Sequence, residues 1–372
     1  MKPFAHHLDQ LQAKGRYRSL TLPGGIDFSS NDYLSLSAHP ALRQAAIAAL
    51  QDGIEIGATG SRLLRGHRAA HAELEAFAAT YYGVPRTLFF PNGFQANYAL
   101  ITALVSRHDT VIFDALCHAS MRDGLFASRC PTIKVKHNDL PAIEAALSKP
   151  RSAGARAWIM IESVYSMDGD IAPVAEILVL AETYDATLIV DEAHGTGVFG
   201  ATGRGVTEGL PHDRLITVHT CGKALGVAGA LVCADDSIID YLINAARPFI
   251  YSTAPMPLQA VLVQRALELV RDEPEPRQYL FGLMDRMQAA MPEFTIRSPI
   301  IPVIIGEDAA ATAVAQTLQD QGFDVRAVRP PTVPEGTARL RVSLNAGLSH
   351  DDVDAFAGAL RGALMDRGLL SQ

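Results

Sequence analysis

The 372-residue sequence has only four cysteines, Cys117, Cys130, Cys221 and Cys233, scattered without a CxxC pair. That scatter excludes a disulfide framework and offers no zinc-ligand spacing, so no metal is expected, and it fits a reducing, cytoplasmic setting. No apolar run approaches the ~20 residues of a membrane span, and MKPFAHHLDQ lacks the apolar centre of a signal peptide. Basic charge is not in excess: 32 Lys and Arg stand against 40 Asp and Glu, a net charge of −8. A broad footprint for nucleic acid or for an anionic membrane surface is therefore not expected. Low-complexity tails and fixed-period repeats are also missing, which sets aside disordered and solenoid architectures. With 48% apolar and 19% charged residues, the chain has the composition of a folded protein, and its length allows two or three domains.

What is present is an alternation. From Thr87 to about Cys233, the short runs TLFF, TVIF, TIKV, AWIMIES, ATLIVDE, LITVH and AGALVC alternate with longer helical stretches. AIEAALS and IAPVAEILVLAETY carry apolar residues at helical spacing and fall between such runs. The pattern predicts an α/β fold with a large, mostly parallel sheet and helices on both of its faces. After the helix PMPLQAVLVQRALELV and the charged break RDEPEPR, the strand-like runs PVIIG, FDVRAV and ARLRVSL interleave with two helices. The expected organisation is an N-terminal arm over 1–36, a large domain over 37–263 and a smaller C-terminal α/β domain over 264–372.

Ligands of such sheets bind beyond the carboxyl ends of the strands, so chemistry is sought there. HTCGKALG sets a single lysine, Lys223, among small residues directly behind LITV. By burial statistics alone, it reads first as an ordinary loop lysine reaching solvent. Asp191 lies near the end of the run ATLIVDE with His194 three residues on, and a lone carboxylate there reads first as a cap or loop charge. Together, an acid at one strand end and a lysine at the next suit pyridoxal phosphate: the lysine forms a Schiff base and the acid keeps the pyridine nitrogen protonated. NGFQAN, residues 92–97, supplies glycine and amide groups where a strand turns into a helix, a ready place for a phosphate. His118 in ALCHAS, alone a satisfied structural histidine, can stack its flat ring on the cofactor from this strand end. GTGVFG, residues 195–200, has the GxGxxG spacing. It follows DEAH and continues as glycine-rich loop, whereas the dinucleotide fingerprint must open a helix directly after its strand.

Together with FSSNDYLSL, GATGSRLLRGH, SMDGD, IYST and RPPTVPEGTARLR, these motifs span nearly the whole chain. The sequence resembles the α-oxoamine synthases of the fold type I pyridoxal phosphate enzymes. The resemblance implies that Lys223 is the Schiff-base lysine, Asp191 the pyridinium partner and His118 the ring-stacking catalytic residue. His194 is implied at the cofactor phenolate, Gly93 and Phe94 at the phosphate turn, and Ser166 and Thr220 at the remaining cofactor contacts, with Glu162 in support. The family site lies at a dimer interface, which implies a homodimer in which Thr253 reaches the phosphate held by the partner subunit. For substrate, Arg341 matches the arginine that grips the amino-acid carboxylate, for which a planar guanidinium is suited. Asn31 lies near the same group, His118 is implied at the substrate too, Thr332 lies near the acyl chain, and Arg18 matches the N-terminal substrate arginine, with Arg16 as the alternative. Ser35 in YLSL stands where the family usually has glycine. The RPPT form implies a decarboxylative condensation of L-alanine with a pimeloyl thioester, on coenzyme A or acyl carrier protein, in biotin synthesis. The alternative within the family uses glycine with acetyl- or succinyl-coenzyme A. From other classes remain an NAD-dependent oxidoreductase built on GTGVFG and a non-catalytic regulator of pyridoxal fold.

Overall fold

All seven β-rich runs between Thr87 and Cys233 form strands, as runs of β-branched and aromatic residues that can be covered on both faces do. The computed structural model of the chain describes residues 2–370. In chain order, α1 (Lys2–Ala13) and β1 (Ile26–Asp27) precede α2 (Pro40–Gln51), α3 (Ala69–Tyr82), β2 (Arg86–Phe90), α4 (Gly93–Leu104), β3 (Thr110–Asp114), α5 (Ala119–Ser128) and β4 (Thr132–Val135). Then come α6 (Leu140–Leu147), β5 (Ala157–Glu162), α7 (Val174–Thr183), β6 (Ala186–Asp191), β7 (Leu215–Thr220), β8 (Ala230–Ala234), α8 (Asp236–Ala245), α9 (Arg247–Ile250) and α10 (Pro257–Asp272). The chain ends with α11 (Glu275–Ala290), β9 (Ile300–Gly306), α12 (Asp308–Asp320), β10 (Phe323–Asp324), β11 (Ala327–Val328), β12 (Ala338–Ser343) and α13 (His350–Met365). Among the described residues, no helix is long and apolar enough to cross a membrane.

The chain divides into two units, one of residues 34–166 and 170–277, the other of residues 1–33, 167–169 and 278–372. In the first, seven strands form one sheet in the order β2-β8-β7-β6-β5-β3-β4. β8 runs antiparallel to both its neighbours, and the remaining pairs are parallel. The two-residue period of the strands sorts their side chains onto two faces. Trp158, Met160, Ile189 and Val218 pack on the side that holds residues of α4, α5 and α8, while Ile159, Ile161, Leu188 and Val190 pack on the side of α6 and α7. Burying each such side chain is worth about 1.5–3 kcal/mol. In the second unit, β11-β12-β9 form an antiparallel sheet and β1 pairs in parallel with β10. Phe28 stacks on Phe356 of α13 at 3.9 Å between ring centroids.

Three expectations need adjustment. The boundary expected at 263/264 would cut α10, which packs along its length on α2 and α3 and stays with the large sheet; the units divide instead at Arg277 and Gln278. The arm expected over 1–36 ends sooner: residues 1–33 group with the C-terminal residues, through the β1–β10 pair among other contacts. FDVRAV is not one strand: Val325 N donates to Phe323 O at 3.1 Å, and that tight turn sends β10 to β1 and β11 to β12. Ser35, where the family favours glycine, has φ 55° and ψ 32°, the left-handed conformation that glycine adopts without penalty. A side chain there costs about 1–2 kcal/mol.

Candidate active site

Parallel strands deliver their last residues to one edge of the sheet. β5 ends at Glu162 and β6 at Asp191, paired in register, so two buried carboxylates stand side by side. Each lies two residues beyond a core side chain, Met160 or Ile189, and so faces α4 and α5. Asp191 accepts from Asn97 Nδ2 at 2.6 Å and from the Ala193 amide at 2.9 Å. Glu162 accepts from the Ser166 amide at 3.1 Å through Oε2, while its Oε1 is buried without a hydrogen-bond partner among the described residues. Burial first, and the charge of Asp191 second, push the Glu162 carboxyl up to about 8.

The next strand end brings the lysine. Beyond Thr220, the turn closes through Cys221 N to Gly229 O at 2.9 Å and Gly226 N to Lys223 O at 2.8 Å. Gly226 has φ 66°, and a Cβ there would collide with the backbone of Leu36 and Ser37, so the turn requires glycine. Lys223 is half-buried, with Nζ 2.8 Å from Nε2 of the buried His194. This is not the solvent-reaching loop lysine that burial statistics favoured. GTGVFG, by contrast, forms turns at 195–200 and opens no helix, so the dinucleotide context is missing.

Gly93 is the first residue of α4. Asn92 caps the helix, its Oδ1 accepting from the Gln95 amide at 2.9 Å. A Cβ on Gly93 would collide with Thr220 Oγ1, which leaves the first amides of α4, at Gly93 and Phe94, as a bare cradle for an anion. Gln95 Nε2 donates to Pro248 O at 2.6 Å and to Ser252 Oγ at 3.2 Å, and Ala254 N donates to Gly60 O at 2.9 Å. These bonds hold the segment in which Thr253 lies exposed.

His118 caps α5, its Nδ1 accepting from the Ser120 amide at 3.2 Å, and the residue is exposed. Desolvation by the neighbouring residues lowers its pKa; Asp191 opposes that shift and Lys223 adds to it. Two residues that the sequence reading passed over complete this edge. Asn97 Nδ2 lies 3.1 Å from Ser120 Oγ, which is 2.8 Å from His118 Nδ1. Both sit inside the motifs NGFQAN and ALCHAS, and the available signal was an amide and a hydroxyl at positions a helix buries. Pyridoxal phosphate fits this edge: the orphan Glu162 Oε1, the acid Asp191, the amine Lys223 and the glycine-started helix meet the needs of its ring, carbonyl and phosphate.

In the second unit, Arg341 of β12 is buried, donating from Nη1 to Ser343 Oγ at 2.9 Å and from Nη2 to Tyr33 Oη at 3.2 Å. Tyr33 in turn donates to Asn31 Oδ1 at 3.1 Å, so one hydroxyl joins Arg341 to Asn31. Arg339, two residues earlier, is also buried but is bound to Asp168 at 2.7 Å and to the Met167 carbonyl at 3.2 Å. The two arginines of GRYR part company as well. Arg16 binds both oxygens of Glu335, at 2.8 and 2.6 Å, and Asp308 at 2.6 Å. Arg18 Nη2 donates to Thr332 Oγ1 at 3.1 Å, in a cleft of about 230 Å³ that Met167, Val328 and Pro330 also line.

The sheet order and its reactive carboxyl edge are those of a fold type I pyridoxal phosphate enzyme. Residues 23–360 match the family model of class I and II aminotransferases. The 8-amino-7-oxononanoate synthase of Aromatoleum aromaticum is 45% identical over 343 residues, covering 90% of this chain and 88% of the relative. Among solved structures, a serine palmitoyltransferase of S. paucimobilis with bound PLP superposes with a TM-score of 0.91 at 26% identity, covering 99% of this chain and 98% of the other. The 8-amino-7-oxononanoate synthase of Francisella tularensis does so with a TM-score of 0.80 at 27% identity, over 92% and 99%. The chain belongs to the class I and II aminotransferase family and, within it, to the 8-amino-7-oxononanoate synthases, acyltransferases that depend on pyridoxal phosphate.

Proposed function

We propose that the chain condenses L-alanine with a pimeloyl thioester, on coenzyme A or acyl carrier protein, to give 8-amino-7-oxononanoate. The alanine α-carbon gains a bond to the acyl carbon and loses its carboxylate as carbon dioxide, and the carrier leaves as a thiol. Similarity to named synthases over nearly the full chain supports this reading. The observation that carries the site is the lysine amine held 2.8 Å from His194 at the edge where Asp191 and Glu162 lie buried together. When bound, pyridoxal phosphate supplies the electron sink for carbanion charge at the amino-acid α-carbon.

The chain's own groups do the rest. Lys223 would hold the cofactor through its amine, and the same amine, when free, would serve as the base for the α-proton. Asp191, steadied by two N–H donors, holds the proton on the pyridine nitrogen, while His194 serves the ring hydroxyl. His118 would lie against the ring of the bound cofactor and could donate to the oxygen that gains charge. The amides at Gly93 and Phe94, with Ser166 and Thr220, hold the phosphate, and Glu162 supports the ring. In a homodimer, exposed Thr253 serves the phosphate of the partner subunit. Arg341 takes the alanine carboxylate with Asn31 close by, and Arg18 and Thr332 receive the acyl chain.

The test is direct. Purified chain with pyridoxal phosphate, L-alanine and pimeloyl-coenzyme A is expected to release thiol and a product of the mass of 8-amino-7-oxononanoate. Turnover of glycine with acetyl- or succinyl-coenzyme A, but not of alanine, would replace the substrate reading by that of the related synthases.

A further inference from the structure

Asn97 and Ser120 are almost wholly buried, at 2% and 0% exposure. Asn97 lies one helical turn beyond Gly93 and Ser120 in the first turn of α5. Asn97 Nδ2 is 2.6 Å from Asp191 Oδ2 and 3.1 Å from Ser120 Oγ, and Ser120 Oγ is 2.8 Å from His118 Nδ1. The directions of these bonds follow from the donor inventory. A carboxylate only accepts, so the Asn97 atom facing Asp191 is the amide nitrogen, and Ser120 Oγ accepts from the same group. The single hydroxyl proton of Ser120 is then left for His118 Nδ1. That nitrogen also faces the Ser120 backbone N–H at 3.2 Å. A ring nitrogen that meets two donors presents its lone pair, so the proton of a neutral ring sits on Nε2.

We propose that Asn97 and Ser120 are positioning residues that hold His118 as the neutral Nε2–H tautomer and tie its orientation to that of Asp191. The proposal rests on the reading that His118 and Asp191 flank the bound ring. A neutral imidazole can lie against a protonated pyridine without repulsion and still offer a donor at Nε2. An imidazolium could not. The charged groups facing His118 are Asp191 of β6, Lys223 beyond β7, and Arg122 and Asp123 of α5 itself. The two acids favour the imidazolium, while burial and the two cations oppose it, and the chain of hydrogen bonds decides which nitrogen of the neutral ring carries the proton.

The experiment is the imidazole nitrogen spectrum of the full chain labelled with ¹⁵N-histidine, free of and loaded with pyridoxal phosphate, from about pH 5 to about pH 9. The His118 signals are assigned by their loss in His118→Gln. The wild type is expected to show the neutral Nε2–H form at neutral pH. Ser120→Ala is expected to admit the Nδ1–H form and to raise the His118 midpoint, with cofactor affinity within about twofold of wild type. Asn97→Leu is expected to make the same change at His118 and also to weaken cofactor binding, since Asp191 then loses a donor. A wild-type Nδ1–H form or imidazolium at neutral pH overturns the proposal whether or not the variants fold. So do folded variants whose His118 spectrum is unchanged. None of these spectra depends on turnover: a chain that shows the tautomer but does not condense alanine refutes the reaction reading and leaves this one standing.

Discussion

Asp109 and the Glu162–Asp191 pair are buried acids at opposite edges of one sheet, and their surroundings differ in kind. Asp109 precedes β3 and receives the Ser106 amide, the Arg156 amide, the Arg156 guanidinium and the Trp158 indole N–H, all between 2.9 and 3.1 Å. Burial pushes its pKa up, but those donors outweigh burial and hold it at about 2. At the other edge, Glu162 has the Ser166 amide and a neighbouring acid, and its pKa is pushed up to about 8. A buried charge met by fixed donors is spent on stability; one left with unfilled hydrogen-bonding capacity is available to a ligand or a proton. The second unit sets two buried arginines on one strand. Arg339 is bound to the carboxylate of Asp168, whereas Arg341 meets the hydroxyls of Ser343 and Tyr33.

If this contrast is right, substitutions at the two edges separate activity from stability. The largest effect is expected from Lys223→Ala, which should lower turnover by about 10⁴-fold or more with an unchanged urea midpoint. Wild-type activity in this variant would break the comparison at its active edge. Asp191→Asn follows, with an expected loss of about 10²–10³-fold in turnover at saturating cofactor, because a neutral amide cannot hold the pyridinium proton. Cofactor content measured by absorbance should stay near stoichiometric. Asp109→Ala should do the reverse: stability by urea denaturation falls by about 3 kcal/mol as several buried donors lose their acceptor, with the turnover number unchanged.

Smaller effects sharpen the picture. Arg341→Ala should weaken alanine binding about ten- to a hundredfold, the worth of about 1.5–3 kcal/mol for a charged hydrogen bond, while Arg339→Ala should lower the urea midpoint instead. Normal alanine affinity in Arg341→Ala removes the carboxylate role. The smallest effect concerns pH. Glu162 in the folded chain holds a proton that the unfolded chain releases near the ordinary carboxyl value of 4.5, so stability falls as pH rises from there to about 8. In the cofactor-free protein, Glu162→Gln should match wild type at the acid end of that window and exceed it at the alkaline end. Parallel stability profiles would show that Glu162 ionises without penalty.

The candidate edge was readable because each parallel strand is an apolar run whose end is visible in the sequence, and Asp191, His194 and Lys223 lie at or just after those ends. Their chemistry needs no knowledge of packing. Asn97 and Ser120 were not readable in the same way: an amide or hydroxyl on a helix is equally at home in water, and only the seating of α4 and α5 against the Asp191 face of the sheet buries them. Arg16 and Arg18 differ in nothing but two positions of sequence. The fold distinguishes them by bringing Asp308 and Glu335 to one and Thr332 to the other. FDVRAV reads as a single strand because its break depends on a partner, β1, from the far end of the chain.

The central claim is that Lys223, at the end of β7, is the group through which the cofactor is held. Borohydride reduction of the chain loaded with pyridoxal phosphate, followed by proteolysis and peptide mass analysis, tests it most directly. The account predicts one phosphopyridoxyl group per chain, on the peptide that contains Lys223, and none in Lys223→Ala. A modified lysine elsewhere, or equal labelling of the Lys223→Ala variant, would contradict it.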